Sequence, residues 1–287
     1  MNRIDLHLHT TCSDGTLSPA ESVEEARRRG LSMIAITDHD TLAGIAPALR
    51  AAAGKPLRVI PGVELNTDYQ EQEVHLLGYG IVPGAALEDA LYRMKEGRRE
   101  RNLAVLARLA ALGITLEVER VREVTQGEII TRPHIARAMV RAGYVSSTQE
   151  AFDRFLKKGA PAFVKRISLT PQEACQAIRQ SKGLPVIAHS AKVDYERLVK
   201  ELLAFGLAGV EVYHPDHSRA QKQDLRNLAE KHGLLITGGS DSHGPNSGRP
   251  VEMGSVAIPP RLAEKAAAAL STLEGVRMQW PLGDETR

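Results

Sequence analysis

Seven short apolar runs rich in Ile, Val and Leu, each followed by a polar turn, recur along the chain at residues 4–7, 33–36, 58–65, 74–80, 185–188, 209–212 and 234–237. Runs of this kind predict buried strands of a parallel sheet. Helical patterning fills most of the intervals between them. Two of these helices open with the same signal, Ser18-Pro19-Ala20-Glu21 and Thr170-Pro171-Gln172-Glu173. In each, a hydroxyl N-cap, a proline at the first helical position and a glutamate three residues after the cap satisfy amides left free at the helix end. Strand–helix alternation then predicts an α/β protein, either a barrel or a doubly wound sheet.

The alternation lapses between about residues 87 and 165, where 3.6-residue spacing takes over, as at Leu103, Leu106, Leu109 and Leu112. Residues 1–90 and 166–287 therefore read as one barrel domain, and 91–165 as a mainly helical insertion that caps it. The last residues, 283–287, read as a frayed tail. With 287 residues and 43% hydrophobic content the chain can bury a full core. No basic stretch leads into an apolar run at the N-terminus, and no segment has the ~18 consecutive apolar residues of a membrane helix. A soluble, cytoplasmic protein without a membrane partner is expected, and no obligate protein partner is evident.

Charge adds a second division. The net charge is only +2, but residues 93–166 hold 16 Lys and Arg against 8 Asp and Glu, while the remainder holds 21 against 27. The insertion is basic and the barrel acidic. Two solvated faces would account for this, and so would a surface that receives phosphates.

The two cysteines, Cys12 and Cys175, are far apart and form no C-x-x-C pair, so a bound metal would be held by nitrogen and oxygen. Of ten histidines, His7, His9, His39, His75, His189 and His243 lie in or just after predicted strands. His7-x-His9 and Asp241-x-His243 each put two ligand-type residues two apart, which extended backbone points to one side. Asp14 follows the first pair within a turn, His39 follows the second strand, and Glu64 ends the third. Burying so many imidazoles and carboxylates without partners costs several kcal/mol each. Divalent cations satisfy them together. Nine ligands exceed what one ion takes, so two or three ions are implied, and a His/carboxylate set without thiolate suits Zn, Mn or Fe.

These residues resemble the polymerase and histidinol phosphatase (PHP) domain family, whose fold is a distorted (β/α)7 barrel with a trinuclear metal site. The matching motifs are His7-x-His9 with Asp14, Thr37-Asp38-His39, Pro61-Gly62-Val63-Glu64 with His75, and His189 with Asp241-x-His243. The resemblance implies that His7, His9, Glu64 and Asp241 hold one ion, Glu64, His75 and His189 a second, and Asp14, His39 and His243 a third. Manganese is the first choice of metal, with zinc, iron or magnesium as alternatives. Asp14, His39, Glu64 and Asp241 are assigned catalytic roles, with a metal-activated water as nucleophile.

Within the insertion, Thr131-Arg132-Pro133-His134-Ile135-Ala136 and Phe152-Asp153-Arg154-Phe155-Leu156 resemble a bacterial PHP subgroup that removes the 3′-phosphate from nucleoside 3′,5′-bisphosphates. Some relatives also trim short RNA from its 5′ end. That resemblance makes a phosphorylated nucleotide or short RNA the expected partner. Arg132 and His134 are the expected contacts to its non-reacting phosphate, with Arg101, Lys158 and Lys165 as further candidates. Histidinol-phosphate hydrolysis, a non-catalytic PHP module and amide hydrolysis on a similar metal barrel are the competing readings. His214 and His217 read as rim residues, Cys12 as a small loop residue, and Gly238-Gly239 as a place where backbone approaches the metal site closely.

Overall fold

The computed structural model describes residues 3–125, 130–165, 169–189, 193–249, 251–273 and 280. The seven expected strands form one sheet in chain order: β1 (Ile4–Leu8), β2 (Met33–Ile36), β3 (Arg58–Tyr69), β4 (Gln72–Tyr79), β5 (Leu184–Ile187), β6 (Gly209–Tyr213) and β7 (Leu235–Gly238). Helices α1 (Pro19–Arg28) and α2 (Ile45–Ala52) follow β1 and β2. Both predicted capping boxes are present, at Ser18 on α1 and at Thr170 on α7 (Pro171–Gln180). Helices α8 (Tyr195–Leu203), α9 (Arg219–Lys231) and α10 (Pro260–Ser271) complete the outer layer.

The expectation of a wholly parallel sheet is corrected at one strand. β1, β2 and β3 run parallel, as do β5, β6 and β7, but β4 is antiparallel to both β3 and β5. The cause is local. β3 does not end at Glu64 but continues to Tyr69 and folds back through Gln70 and Glu71, both in the left-handed region, into a hairpin with β4. An apolar run records burial and not strand direction, so the reversal left no trace in the hydrophobic pattern.

The sheet nearly closes. Leu8 bridges Ser242, the His9 amide donates to the Ser242 carbonyl at 3.0 Å, and buried Asp5 accepts from the Ser240 amide and hydroxyl at 2.9 and 2.6 Å. A side chain at Gly239 would put its Cβ 2.4 Å from that of His7, so only glycine lets the seam come this close.

The insertion has its own apolar cluster, including Val105, Leu109, Ile114, Val121, Ile135, Met139, Ala151 and Leu156. It is built from α3 (Ala85–Ala111), α4 (Val118–Arg122), α5 (Arg132–Arg141), α6 (Thr148–Ala151) and a π-helical turn, Phe152–Leu156. The long helix α3 belongs to both cores. Leu87, Ala90 and Met94 pack into the barrel, and Val105, Leu106 and Leu109 into the cap. None of the described helices is long and apolar enough to cross a membrane.

Candidate metal centre

The nine expected ligands converge at one end of the barrel. Glu64, fully buried in the middle of β3, is the hub: its Oε2 lies 3.2 Å from His7 Nε2, 3.1 Å from His9 Nε2 and 3.1 Å from His39 Nδ1. Its Oε1 lies 2.6 Å from His75 Nδ1 and 3.1 Å from His189 Nε2. Asp241 Oδ1 lies 3.0 Å from His9 Nε2 and 3.5 Å from His7 Nε2. Asp14 Oδ1 stands 3.3 Å from His243 Nε2. Two groups with donor atoms within 4.8 Å of one another therefore form, His7, His9, Glu64 and Asp241 in one and His9, Asp14, His39 and His243 in the other. Glu64 joins a third such group with His39 and His75.

Two of these placements differ in their local cause from what spacing predicts. His75 sits near the start of its strand, and it reaches the ligand end of the barrel only because β4 runs backward. Asp241 is not extended: its φ is 52°, a left-handed turn beyond β7 that an aspartate tolerates better than most side chains. Its neighbour His243 is fixed by donating from Nδ1 to the Asp241 carbonyl at 2.9 Å. Asp38, between Thr37 and His39, shapes the loop that carries His9 and Asp14. It accepts from the Thr10 amide and hydroxyl, both at 2.7 Å, and from the Ser13 hydroxyl at 2.6 Å.

Among the described residues, seven of the fourteen buried side-chain atoms that lack a hydrogen-bond partner gather here: His7 Nε2, both ring nitrogens of His9, Asp14 Oδ1, Glu64 Oε2, Asp241 Oδ1 and His214 Nε2. Native cores seldom leave such atoms unpaired, because each costs about 1–3 kcal/mol. Lone pairs on imidazole and carboxylate aimed at common points fit divalent cations. Electrostatics agree. Burial would push the Glu64 carboxyl up, but His39, His7 and His75 beside it hold it well below the usual range, and Asp14 and Asp241 are held down likewise by neighbouring imidazoles. Burial opposes charge on His9, yet the Asp241 and Glu64 carboxylates beside it carry it up to about 10; Glu64 does the same for His75. His39 is pushed down to about 4 by burial. A bound cation would take the place of protons on these imidazoles.

Three residues outside the nine stand in contact with the candidate ligands. Glu211 on β6 is fully buried; His7 Nδ1 stands 3.0 Å from its Oε1, and its Oε2 accepts from the His189 amide at 2.9 Å. A carboxylate behind an imidazole fixes the tautomer that leaves the other ring nitrogen free as a ligand. The isolated glutamate in the apolar run Gly209-Val210-Glu211-Val212 was the available signal. Arg249 donates to Asp241 Oδ2 at 2.6 Å and to Asp216 at 3.0 Å, from a loop with no motif to mark it. His214, read as a rim residue, is fully buried with Nε2 3.5 Å from Asp241 Oδ2, and His217 is buried too. Cys12 belongs to none of these groups.

The helical insertion faces these residues across a cavity. A cavity of about 420 Å³ has Asp14, His39, His75, His189, Asp241 and His243 on its barrel side, and Arg98, Arg101, Thr131, Arg132 and Phe152 on its cap side. Arg101 and Arg132 thus face the candidate ligands. Lys158 and Lys165 instead line an adjoining groove that shares Arg101 and Arg132 with the first cavity. His134 is not on the cavity wall. It is buried at the start of α5, where its Nδ1 accepts from the Thr131 amide at 3.0 Å and closes the helix cap. The basic excess of the cap is also partly matched by barrel acids: Arg98 pairs with Asp40, Arg132 with Glu73 at 3.1 Å, and Lys165 with Asp68 at 3.3 Å.

Comparison with known proteins places this architecture. The chain is 35% identical over 255 residues to a 3′,5′-nucleoside bisphosphate phosphatase of Chromobacterium violaceum, covering 86% of this chain and 90% of that one. It is 34% identical over 249 residues to the 5′-3′ exoribonuclease Rnm of Escherichia coli strain K12, covering 84% and 85%. A solved structure described as an amidohydrolase from Chromobacterium violaceum, with bound sulfate and no metal, superposes with a TM-score of 0.85 at 32% identity, covering 94% of this chain and 96% of that one. The PHP domain pattern matches residues 5–164. With the seven-stranded barrel and its ring of histidines, these likenesses establish that the chain belongs to the PHP domain family.

Proposed function

We propose that this chain is a metal-dependent phosphoesterase that removes the 3′-phosphate from nucleoside 3′,5′-bisphosphates. The observation that carries the reading is the facing of two chemistries across one cavity: a buried His and carboxylate cluster below, and Arg101 and Arg132 above. His7, His9, Glu64 and Asp241 would hold one ion, Glu64, His75 and His189 a second, and Asp14, His39 and His243 a third, with Mn²⁺ as the leading choice. Such ions supply a water of lowered pKa and neutralise charge at phosphorus. Arg132 orients the substrate by its non-reacting phosphate, and Arg101 adds positive potential beside it. The cap limits access of bulk water, which strengthens these interactions. His134 supports this arrangement by capping the helix that presents Arg132.

Short 5′-phosphorylated RNA is the second reading. The adjoining groove supports it, since Arg101, Arg132, Lys158, Lys165 and Phe163 line it beside Asp68, Glu71 and Glu73, so that four cations outnumber three carboxylates there. Initial rates with Mn²⁺ on adenosine 3′,5′-bisphosphate, 3′-AMP, 5′-AMP, histidinol phosphate and a 5′-phosphorylated trinucleotide separate the readings. A clear preference for the bisphosphate supports the first reading, and a preference for histidinol phosphate rejects it.

A further inference from the structure

His214 looks at first like a tenth ligand. It is fully buried, its Nε2 has no hydrogen-bond partner, and its donor atoms group with those of His189 and Asp241 within 4.8 Å. The other ring nitrogen decides otherwise. His214 Nδ1 lies 3.1 Å from the backbone amide of Asp216 and accepts its hydrogen. An amide can only donate, so Nδ1 carries a lone pair, and the neutral ring must hold its single proton on Nε2. A nitrogen that carries a proton cannot ligate. His7 and His243 show the opposite arrangement: Nδ1 faces the Glu211 carboxylate in one and the Asp241 carbonyl in the other, so Nδ1 holds the proton and Nε2 the free pair.

The two oxygens of Asp241 are divided in the same sense. Oδ1 faces His7, His9 and His243 and has no hydrogen-bond partner. Oδ2 faces His189 at 3.7 Å, His214 at 3.5 Å and the Arg249 guanidinium at 2.6 Å. We propose that His214 is a positioning residue: its Nε2–H, fixed toward Asp241 Oδ2 at 3.5 Å, attracts that oxygen's charge and, with Arg249, holds Oδ2 so that Oδ1 alone is presented to a metal ion. This rests on the metal-binding part of the proposed function but assigns His214 a role outside the ligand set. Partners that orient a ligand typically change metal affinity by about 10–100-fold when removed.

The test uses the full chain, freed of metal with a chelator and titrated with Mn²⁺ against a competing indicator. His214→Ala should bind the same number of equivalents at saturation, with affinity weakened about 10–100-fold. His214→Gln, whose amide N–H reaches near the place of Nε2–H, should recover most of that affinity. Loss of one whole equivalent in both variants would make His214 a ligand and overturn the proposal, as would unchanged affinity in His214→Ala. If the alanine variant does not fold, the parent still decides. In zinc-loaded protein labelled with ¹⁵N-histidine, long-range couplings should place the His214 proton on Nε2, and a proton on Nδ1 with metal-bound Nε2 would overturn it. A parent chain that binds less than one equivalent removes the metal reading itself, which is a different failure.

Discussion

The guanidinium of Arg132 lies 3.1 Å from the Glu73 carboxylate, so the residue expected to meet the substrate is already tethered to the barrel. An arginine with one exposed acidic partner keeps N–H groups for a phosphate, and a more highly charged anion competes well for them. Arg132→Ala should therefore lower kcat/KM for a 3′,5′-bisphosphate by about 10–100-fold, the worth of a hydrogen bond to a charged group. A small monophosphate ester, with no second phosphate to lose, should change far less. Equal losses on both would place Arg132 at the reacting phosphate or in structure.

Metal content is the most direct check on the nine-residue cluster. Purified chain should carry two or three divalent equivalents by elemental analysis, and less than one would reject the cluster as a metal centre. Chelation should abolish turnover and lower Tm. A ligand at 100 times its Kd adds about 2.7 kcal/mol of stability, which is lost when it is withdrawn. Asp241→Asn and His7→Ala should each eliminate turnover with little change in far-UV circular dichroism, because neither residue belongs to the apolar clusters that hold the barrel together.

Glu211 lies outside the nine expected ligands, yet it faces His7 Nδ1 and accepts the His189 amide. Glu211→Gln preserves shape but removes the negative charge behind His7. Mn²⁺ affinity or activity should fall about 10–100-fold. Activity and affinity both within twofold of the parent would show that the buried carboxylate is not part of the metal centre's support.

Arg98 and Asp40 form a buried pair between cap and barrel, and Asp40 also accepts from the Asn66 amide at 3.1 Å while its own backbone is left-handed. Removing one member of such a pair leaves an uncompensated charge, at a cost of about 3–5 kcal/mol. Arg98→Met should lower stability to denaturant by that order. Because α3 spans both cores, cap and barrel should lose structure in a single transition. A separate, earlier transition of the cap would show that the pair does not couple the two.

Much of this molecule was legible in short stretches of chain. Every strand appeared as an apolar run, and the helix caps at Ser18 and Thr170 were explicit, because period and capping are set by residues within a few positions of each other. The nine expected ligands stood out for a similar reason: polar, ionisable groups next to buried strands need a partner. Other features depended on residues far apart in sequence. Strand direction is absent from a hydrophobic run, so the reversal of β4 and the route of His75 to the site appeared only with the hairpin at Gln70 and Glu71. The count of cations in the cap was plain in the sequence, but their pairing with Asp40, Glu73 and Asp68 was decided by the docking of cap on barrel. Composition thus determined which groups the protein had to satisfy, whereas the tertiary fold decided which partner satisfied each, because hydrogen bonds and ion pairs depend on ångström-scale distances that chain order does not specify. His214 illustrates the division: its place after the sixth strand made it read as a rim residue, and the fold buried it beside Asp241 with its Nδ1 accepting from the Asp216 amide.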